Sequence, residues 1–259
     1  MIFIKTAILA GGLGTRIREE SVDKPKPMIE IGNMPILVHI MNIYDHWGHK
    51  NFIICTGYKR NMIQDYFKNF YENTADWISI NLMTEEFESD AHVKDWFVEL
   101  VNTGELADTA ARIKKIQKYI SLDGTFLLTY GDGLTDANIN NIIDFHERKG
   151  KIATLLAVKA QSRFGVLEID ASSNVKSFGE KIQDKNFVNG GFYVLNTEIF
   201  KYIHDDNESF ERDILPRLVK DKQLSAYKYN GFWKCMDSLK DKEELTQLWN
   251  SGKAPWKLW

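Results

Sequence analysis

"LAGGLGTRIREESVDKPKPM", residues 9–28, decides how this chain is read. It leaves the short apolar run "KTAILA" (5–10) and turns at once into Gly11, Gly12 and Gly14. A short apolar run closed by glycine reads as a strand buried on both faces, the kind that makes parallel sheets. Glycines at its carboxyl end let backbone N–H groups come close to an anion. In an open α/β sheet, that edge is where ligands bind. Arg16, Lys24 and Lys26 follow and supply positive charge. A dinucleotide fingerprint would need glycine where Ile17 stands, and Gly-Lys-Ser/Thr is missing, so neither common phosphate loop applies. A plain glycine turn with solvated cations is the competing reading.

Working outward, strand-like and helix-like segments alternate. "PILVHIMNIYDHWG" (35–48) has apolar residues at helical spacing between Pro35 and Gly48, and "NFIICTG" (51–57) is a strand. "MIQDYFKNF" (62–70) reads as a helix, and "WISINL" and "WFVELV" as strands. "ADTAARIKKIQKYI" (107–120) is an amphipathic helix with a basic outer face. "TFLLTY" (125–130), "INNIIDFHERKG" (139–150) and "IATLLAV" (152–158) continue as strand, helix and strand. The fold class expected is α/β: a Rossmann-like, mostly parallel sheet with helices on both faces. A small β-rich region follows, whose strands extend or flank that sheet. Residues 1–259 are expected to form one domain, with 1–158 as its alternating core and 159–259 as the flanking part.

Composition narrows the function. The chain has 259 residues, 44% hydrophobic and 27% charged, with a formal net charge of −3. No basic face stands out, so nucleic acid is not an expected partner. No apolar run reaches the ~20 residues that cross a bilayer, and "MIFIKTAIL" lacks a signal-peptide layout, so a cytoplasmic protein is expected. Cys55 and Cys235 are expected to be buried free thiols. His39, His46 and His146 fall in helical segments and are expected to be structural. The tail "GKAPWKLW" places Trp256 and Trp259 where they could dock on the body or on a neighbouring subunit.

A second feature lies in "TYGDG" (129–133), which sets Asp132 between two glycines at the end of another buried strand. A carboxylate there suits Mg2+, which takes one or two carboxylates together with phosphate oxygens. An Asp-Gly turn is the structural alternative. Asp237 in "FWKCMDS" could complete the metal site; spacing alone favours Asp237 or Ser238 as the cap of the last helix.

"LAGGLGTR", "KPKPM", "GYK", "TYGDG", "RFG", "NGGF" and "FWKCMDS", in this order, resemble the sugar-nucleotide pyrophosphorylases of the nucleotidyltransferase superfamily. In detail the chain is similar to members that join CTP to glucose 1-phosphate. The resemblance covers nearly the whole chain. It implies Mg2+-dependent transfer of CMP, giving CDP-glucose and pyrophosphate for dideoxyhexoses of surface polysaccharide. It implies that Leu9, Ala10, Gly11, Gly12, Leu13, Gly14, Thr15 and Arg16 wrap the nucleotide, with Arg16 on the triphosphate. Lys26 would hold the α-phosphate region, Arg112 would lie near cytosine and Gly131 would touch the nucleoside. Arg16, Lys26 and Asp132 would carry the catalysis. Asp132 and Asp237 would bind Mg2+, while Glu180, Lys181 and Asn189 would take the acceptor. It also implies a homo-oligomer, a hexamer being one form.

Three stretches depart from the family pattern. "ADTAAR" (107–112) stands where Ser-Met-Thr-Gly-Gly-Arg is usual, "GEKIQDK" (179–185) lacks the proline of Glu-Lys-Pro, and "KAQS" (159–162) replaces a Pro-Pro-Gly type turn. Two other readings stay open. One is a cytidylyltransferase for a different sugar 1-phosphate or a small non-sugar phosphate. The other is a nucleotide-binding regulator without catalysis.

Overall fold

The computed structural model describes residues 4–12, 14, 17, 23–75, 78–81, 83–84, 86–89, 94–120, 124–159, 166–169, 175–179, 187–205 and 207–259. Its centre is a seven-stranded sheet. In chain order the strands are β1 (Thr6–Leu9), β2 (Asn51–Thr56), β3 (Phe97–Asn102), β4 (Thr125–Tyr130), β6 (Ala153–Lys159), β7 (Phe187–Asn196) and β8 (Leu224–Tyr229). The short strands β5 (Gly133–Thr135) and β9 (Trp233–Cys235) pair with each other outside the sheet. Across the sheet the order is β8-β6-β7-β4-β1-β2-β3. All neighbours run parallel except at β7, which is antiparallel to both β4 and β6.

The apolar strand runs are explained by burial on both faces. Ile8, Phe52, Ile54 and Leu127 pack into one core with Ile36, Ile40 and Tyr44. Their neighbours Ala7, Leu9, Ile53, Cys55, Phe126 and Leu128 pack into a second core on the other face. Successive side chains of a strand point to opposite faces, so a strand covered twice must be apolar throughout. Helices α1 (Ile36–His46), α2 (Thr109–Lys115), α3 (Ile139–Lys149) and α4 (Leu239–Asn250) supply cover. The Asn138 side chain caps α3, and Gly150, at φ 56°, ends it in the left-handed region.

The later strands do more than extend or flank the sheet, since β7 is inserted inside it. Leu224–Tyr229 and Trp233–Cys235 are separate strands. The 62–70 helix starts at Arg60, ends at Lys68 and gives way to a second short helix, Phe70–Thr74. "WISINL" contributes Ile78–Asn81, which pairs with Glu86–Ser89 instead of joining the central sheet. The 107–120 helix is shorter than its pattern, because a 3-10 turn takes over at Gln117–Tyr119.

Trp256 is fully buried and rests against Phe232 and Trp249. It docks on the body of its own chain, whereas Trp259 stays partly exposed. His39 is buried beneath Trp256, its Nε2–H donating to Ile31 O at 2.9 Å and its Nδ1 accepting from Trp256 Nε1 at 3.3 Å. His146 pairs with Thr154 Oγ1 at 2.9 Å inside the core. No helix among the described residues is long and apolar enough to cross a membrane.

Candidate active site

From β1 the chain moves outward to β2 and β3, then returns to β4 on the other side of β1. The carboxyl ends of β1 and β4 therefore border the crevice where strand order reverses, the usual ligand position in open α/β sheets. The two ends are pressed together. Gly131 N donates to Leu9 O at 3.1 Å. A Cβ on Gly131 would lie 2.9 Å from that oxygen and 3.0 Å from Pro27 Cγ, so the approach requires glycine.

Lys26 opens a 3-10 turn, Lys26–Met28, set beside this crevice. Asp237 arrives from the far end of the chain because β9 pairs with β5. Cys235 is opposite Gly133, and Met236 N donates to Asp132 O at 2.9 Å. The result is one cation between two carboxylates. Lys26 Nζ lies 2.6 Å from Asp132 Oδ2 and 2.7 Å from Asp237 Oδ1. Burial alone would lower the Lys26 pKa, but Asp132 and Asp237 outweigh it and hold the ammonium above its ordinary value.

Spacing favoured a capping role at Asp237 or Ser238, and Ser238 takes it. Its Oγ accepts from Asp241 N, while Asp241 Oδ2 accepts from Ser238 N at 2.9 Å, a complete capping box. The Asp237 carboxylate is turned instead toward Lys26. Two carboxylates around a shared positive charge form a donor set that fits Mg2+, a hard cation that fills its remaining places from phosphate and water. The Lys26 ammonium holds the position of positive charge in this arrangement. Among the described residues no cluster of three or more metal-binding side chains occurs.

Cys235 departs from the expectation of a buried thiol. It is half-buried, with Sγ 3.7 Å from Asp237 Oδ2. Desolvation first, then Asp237 and Asp132, pushes this thiol up to about 12. It is therefore neutral at physiological pH. Cys55 is buried and free.

Arg112 turns inward, unlike the basic outer face expected of its helix. Its Nη2 donates to Gly11 O at 2.8 Å and to Glu105 O, and its Nη1 donates to Gly104 O at 2.7 Å and Thr103 Oγ1 at 2.9 Å. A Cβ on Gly11 would sit 2.0 Å from Arg112 Nη1, and one on Gly57 2.6 Å from it. Arg112 thus clamps the glycine turn to the 103–105 loop. Only the fork geometry of a guanidinium serves four acceptors this way. The sequence signal for such a clamp is slight: an arginine directly after "AA" on the apolar side of a helix.

Leu13, Thr15, Arg16, Glu180 and Lys181 lie outside the described residues, as do residues 160–162 and 180–185 of the altered stretches and the "RFG" motif at 163–165. Leu9, Ala10, Gly11, Gly12 and Gly14 stand at the end of β1. Asn189 lies on β7, which begins at the same edge because Phe192 pairs with Thr129 in antiparallel register. Trp233 Nε1 donates to Gly190 O at 2.7 Å, tying that edge to β9.

Residues 5–247 match the family model described as Nucleotidyl transferase. The chain belongs to the nucleotidyl transferase family. The glucose-1-phosphate cytidylyltransferase of Salmonella typhi is 45% identical over 258 residues, covering 99% of this chain and 100% of that protein. The protein of the same name from Salmonella typhimurium (strain LT2) has the same identity and coverage. Among solved structures, HddC from Yersinia pseudotuberculosis superposes with a TM-score of 0.69 at 25% identity, covering 95% of this chain and 99% of that one. In this nucleotidyl transferase, the glycine turn, Lys26 and the two carboxylates converge on the crevice between β1 and β4.

Proposed function

We propose that this nucleotidyl transferase moves CMP from CTP to glucose 1-phosphate, releasing pyrophosphate and CDP-glucose. The observation that carries the reading is the Lys26–Asp132–Asp237 cluster at the switch point, in a chain 45% identical end to end to glucose-1-phosphate cytidylyltransferases. In the reaction, a phosphate oxygen of the sugar phosphate attacks the α-phosphorus of CTP. The bond to the β-phosphate oxygen breaks, and pyrophosphate leaves with that electron pair. The attacking phosphate is already ionised at neutral pH, so no general base is needed. The demand on the protein is in-line positioning and cationic neutralisation of two anionic reactants.

The chain's residues are suited to those tasks. The Gly11–Gly12 turn presents backbone N–H groups at the end of β1, and Arg112 keeps it in place from behind. Lys26 is positioned to follow the α-phosphate as negative charge builds. Arg16 on the triphosphate, with Glu180, Lys181 and Asn189 on the acceptor, are assigned by their motifs, and the position of Asn189 at the same edge supports that reading. Asp132 and Asp237 would hold Mg2+, which supplies charge neutralisation across phosphate oxygens. The assembly is proposed to be a homo-oligomer and the location cytoplasmic.

The experiment is pyrophosphate release with Mg2+, crossing CTP, UTP, dTTP, ATP and GTP with sugar 1-phosphates and small non-sugar phosphates. CTP with glucose 1-phosphate is expected to give the highest kcat/KM. Turnover with CTP and a different acceptor would replace the substrate assignment. Nucleotide binding without release in any combination would favour a non-catalytic regulator.

A further inference from the structure

Behind the crevice runs a polar chain that ends at Asn189. Tyr130, the residue before Gly131 and Asp132, donates its hydroxyl to Glu211 Oε1. Tyr193 Oη lies 3.1 Å from Tyr130 Oη. Because the single Tyr130 proton goes to Glu211, Tyr193 donates to Tyr130. Tyr193 Oη in turn accepts from Asn189 Nδ2, and Asn189 Oδ1 accepts from Gly191 N at 3.0 Å. Asn189 is an exposed residue, yet both ends of its amide are hydrogen-bonded. The other Glu211 oxygen, Oε2, accepts from Thr109 Oγ1 and Ser209 Oγ, each at 2.9 Å.

Glu211 stands on a five-residue π-helical turn, Phe210–Ile214. Such turns are rare and recur at functional positions. Burial, reinforced for Tyr130 by Tyr193 and Glu211, raises both phenols, that of Tyr193 to about 12. Both tyrosines therefore remain proton donors at neutral pH, and the donor direction of the chain is fixed. Bonds in such a chain polarise one another, and the carboxylate end strengthens each link.

We propose that Glu211 is a positioning residue that, through Tyr130 and Tyr193, orients the Asn189 amide toward the phosphorylated acceptor. This rests on the proposed function, in which Asn189 faces that acceptor. A free asparagine at the crevice edge would sample several rotamers and lose that freedom on binding. An amide already oriented avoids the loss.

The test compares wild type, Tyr193→Phe, Glu211→Gln and the double variant. Each single change is expected to raise KM for glucose 1-phosphate about five- to tenfold, and Tyr193→Phe is expected to leave KM for CTP within about twofold. The double variant is expected to lose no more than the worse single one, since both cut one chain. Unchanged acceptor KM in the single variants, or multiplied losses in the double variant, would overturn the role. The Asn189 side-chain amide signal in NMR gives a readout independent of turnover. It is expected to be ordered in wild type and mobile in Tyr193→Phe. Should wild type reject glucose 1-phosphate, the substrate reading fails and this signal still decides: an amide equally ordered in Tyr193→Phe overturns the positioning role.

Discussion

Lys26 and Asp132 are 106 residues apart in sequence, and their side chains meet at 2.6 Å. The same ammonium reaches Asp237 at 2.7 Å, so one lysine joins three distant parts of the chain. The Lys26 side chain is only 13% exposed, which makes this cluster more than a screened surface pair. Lys26→Met removes the cation between the two carboxylates. The expected cost is about 1–3 kcal/mol in urea unfolding. Added Mg2+ should then stabilise the variant more than wild type, because a divalent ion can relieve the same repulsion. An equal response to Mg2+ in both proteins would remove the carboxylate pair as a cation site.

Asp237 and Ser238 are adjacent but have separate tasks. Asp237→Asn is expected to lower kcat by about a hundredfold or more, as loss of a charge-stabilising group does, with little change in melting temperature. Ser238→Ala is expected to cost about 1 kcal/mol of stability through the lost cap, with kcat largely kept. The reverse pattern in the two variants would assign the roles the other way round.

Gly11 and Gly12 should also separate. A Cβ at Gly11 collides with the Arg112 guanidinium, whereas no described residue lies within 4 Å of a Cβ at Gly12. Gly11→Ala is expected to destabilise the fold by about 2–4 kcal/mol, the range of a lost buried polar network. Gly12→Ala should fold normally and raise KM for CTP, since its methyl occupies the side open to ligand. A Gly12→Ala enzyme with ordinary CTP affinity would place the nucleotide elsewhere.

His39 sets a pH dependence of stability. Burial holds it down to about 4 in the folded protein, against 6.5 for an ordinary histidine. Between those values the unfolded chain binds more protons. Its contribution is therefore complete above about pH 6.5 and is lost as pH falls toward 4. The maximum is about 3 kcal/mol. Protonation at Nδ1 would also break the bond from Trp256. His39→Gln should flatten this part of the stability profile, measured by urea unfolding from pH 4 to 7. An unchanged slope would assign it to other groups.

Much of the fold was legible in local pattern. Apolar runs closed by Gly11, Gly57 and Gly131 mark strands buried twice, and Gly150 marks the end of α3. The site was legible in part, because glycine and aspartate at strand ends occupy the one edge where a parallel sheet binds ligands. The resemblance set Arg112 near the nucleotide, but its role as a clamp was not legible, since a basic residue on a helix is ordinarily solvated and only the carbonyls of Gly11, Gly104 and Glu105 reverse that preference. Trp256 was equally open, because an apolar residue near a terminus does not name the surface it will cover.

The sequence by itself determined the strand and helix alternation, the glycine turn at the end of β1 and the placement of Asp132, since these depend on neighbours a few residues away. Only the tertiary structure decided that β7 enters the sheet antiparallel, that β9 pairs with β5, and that Asp237 is released from capping to meet Lys26. Those outcomes depend on contacts between residues tens to hundreds of positions apart. There, burial and charge neutralisation across the folded chain outweigh every local preference.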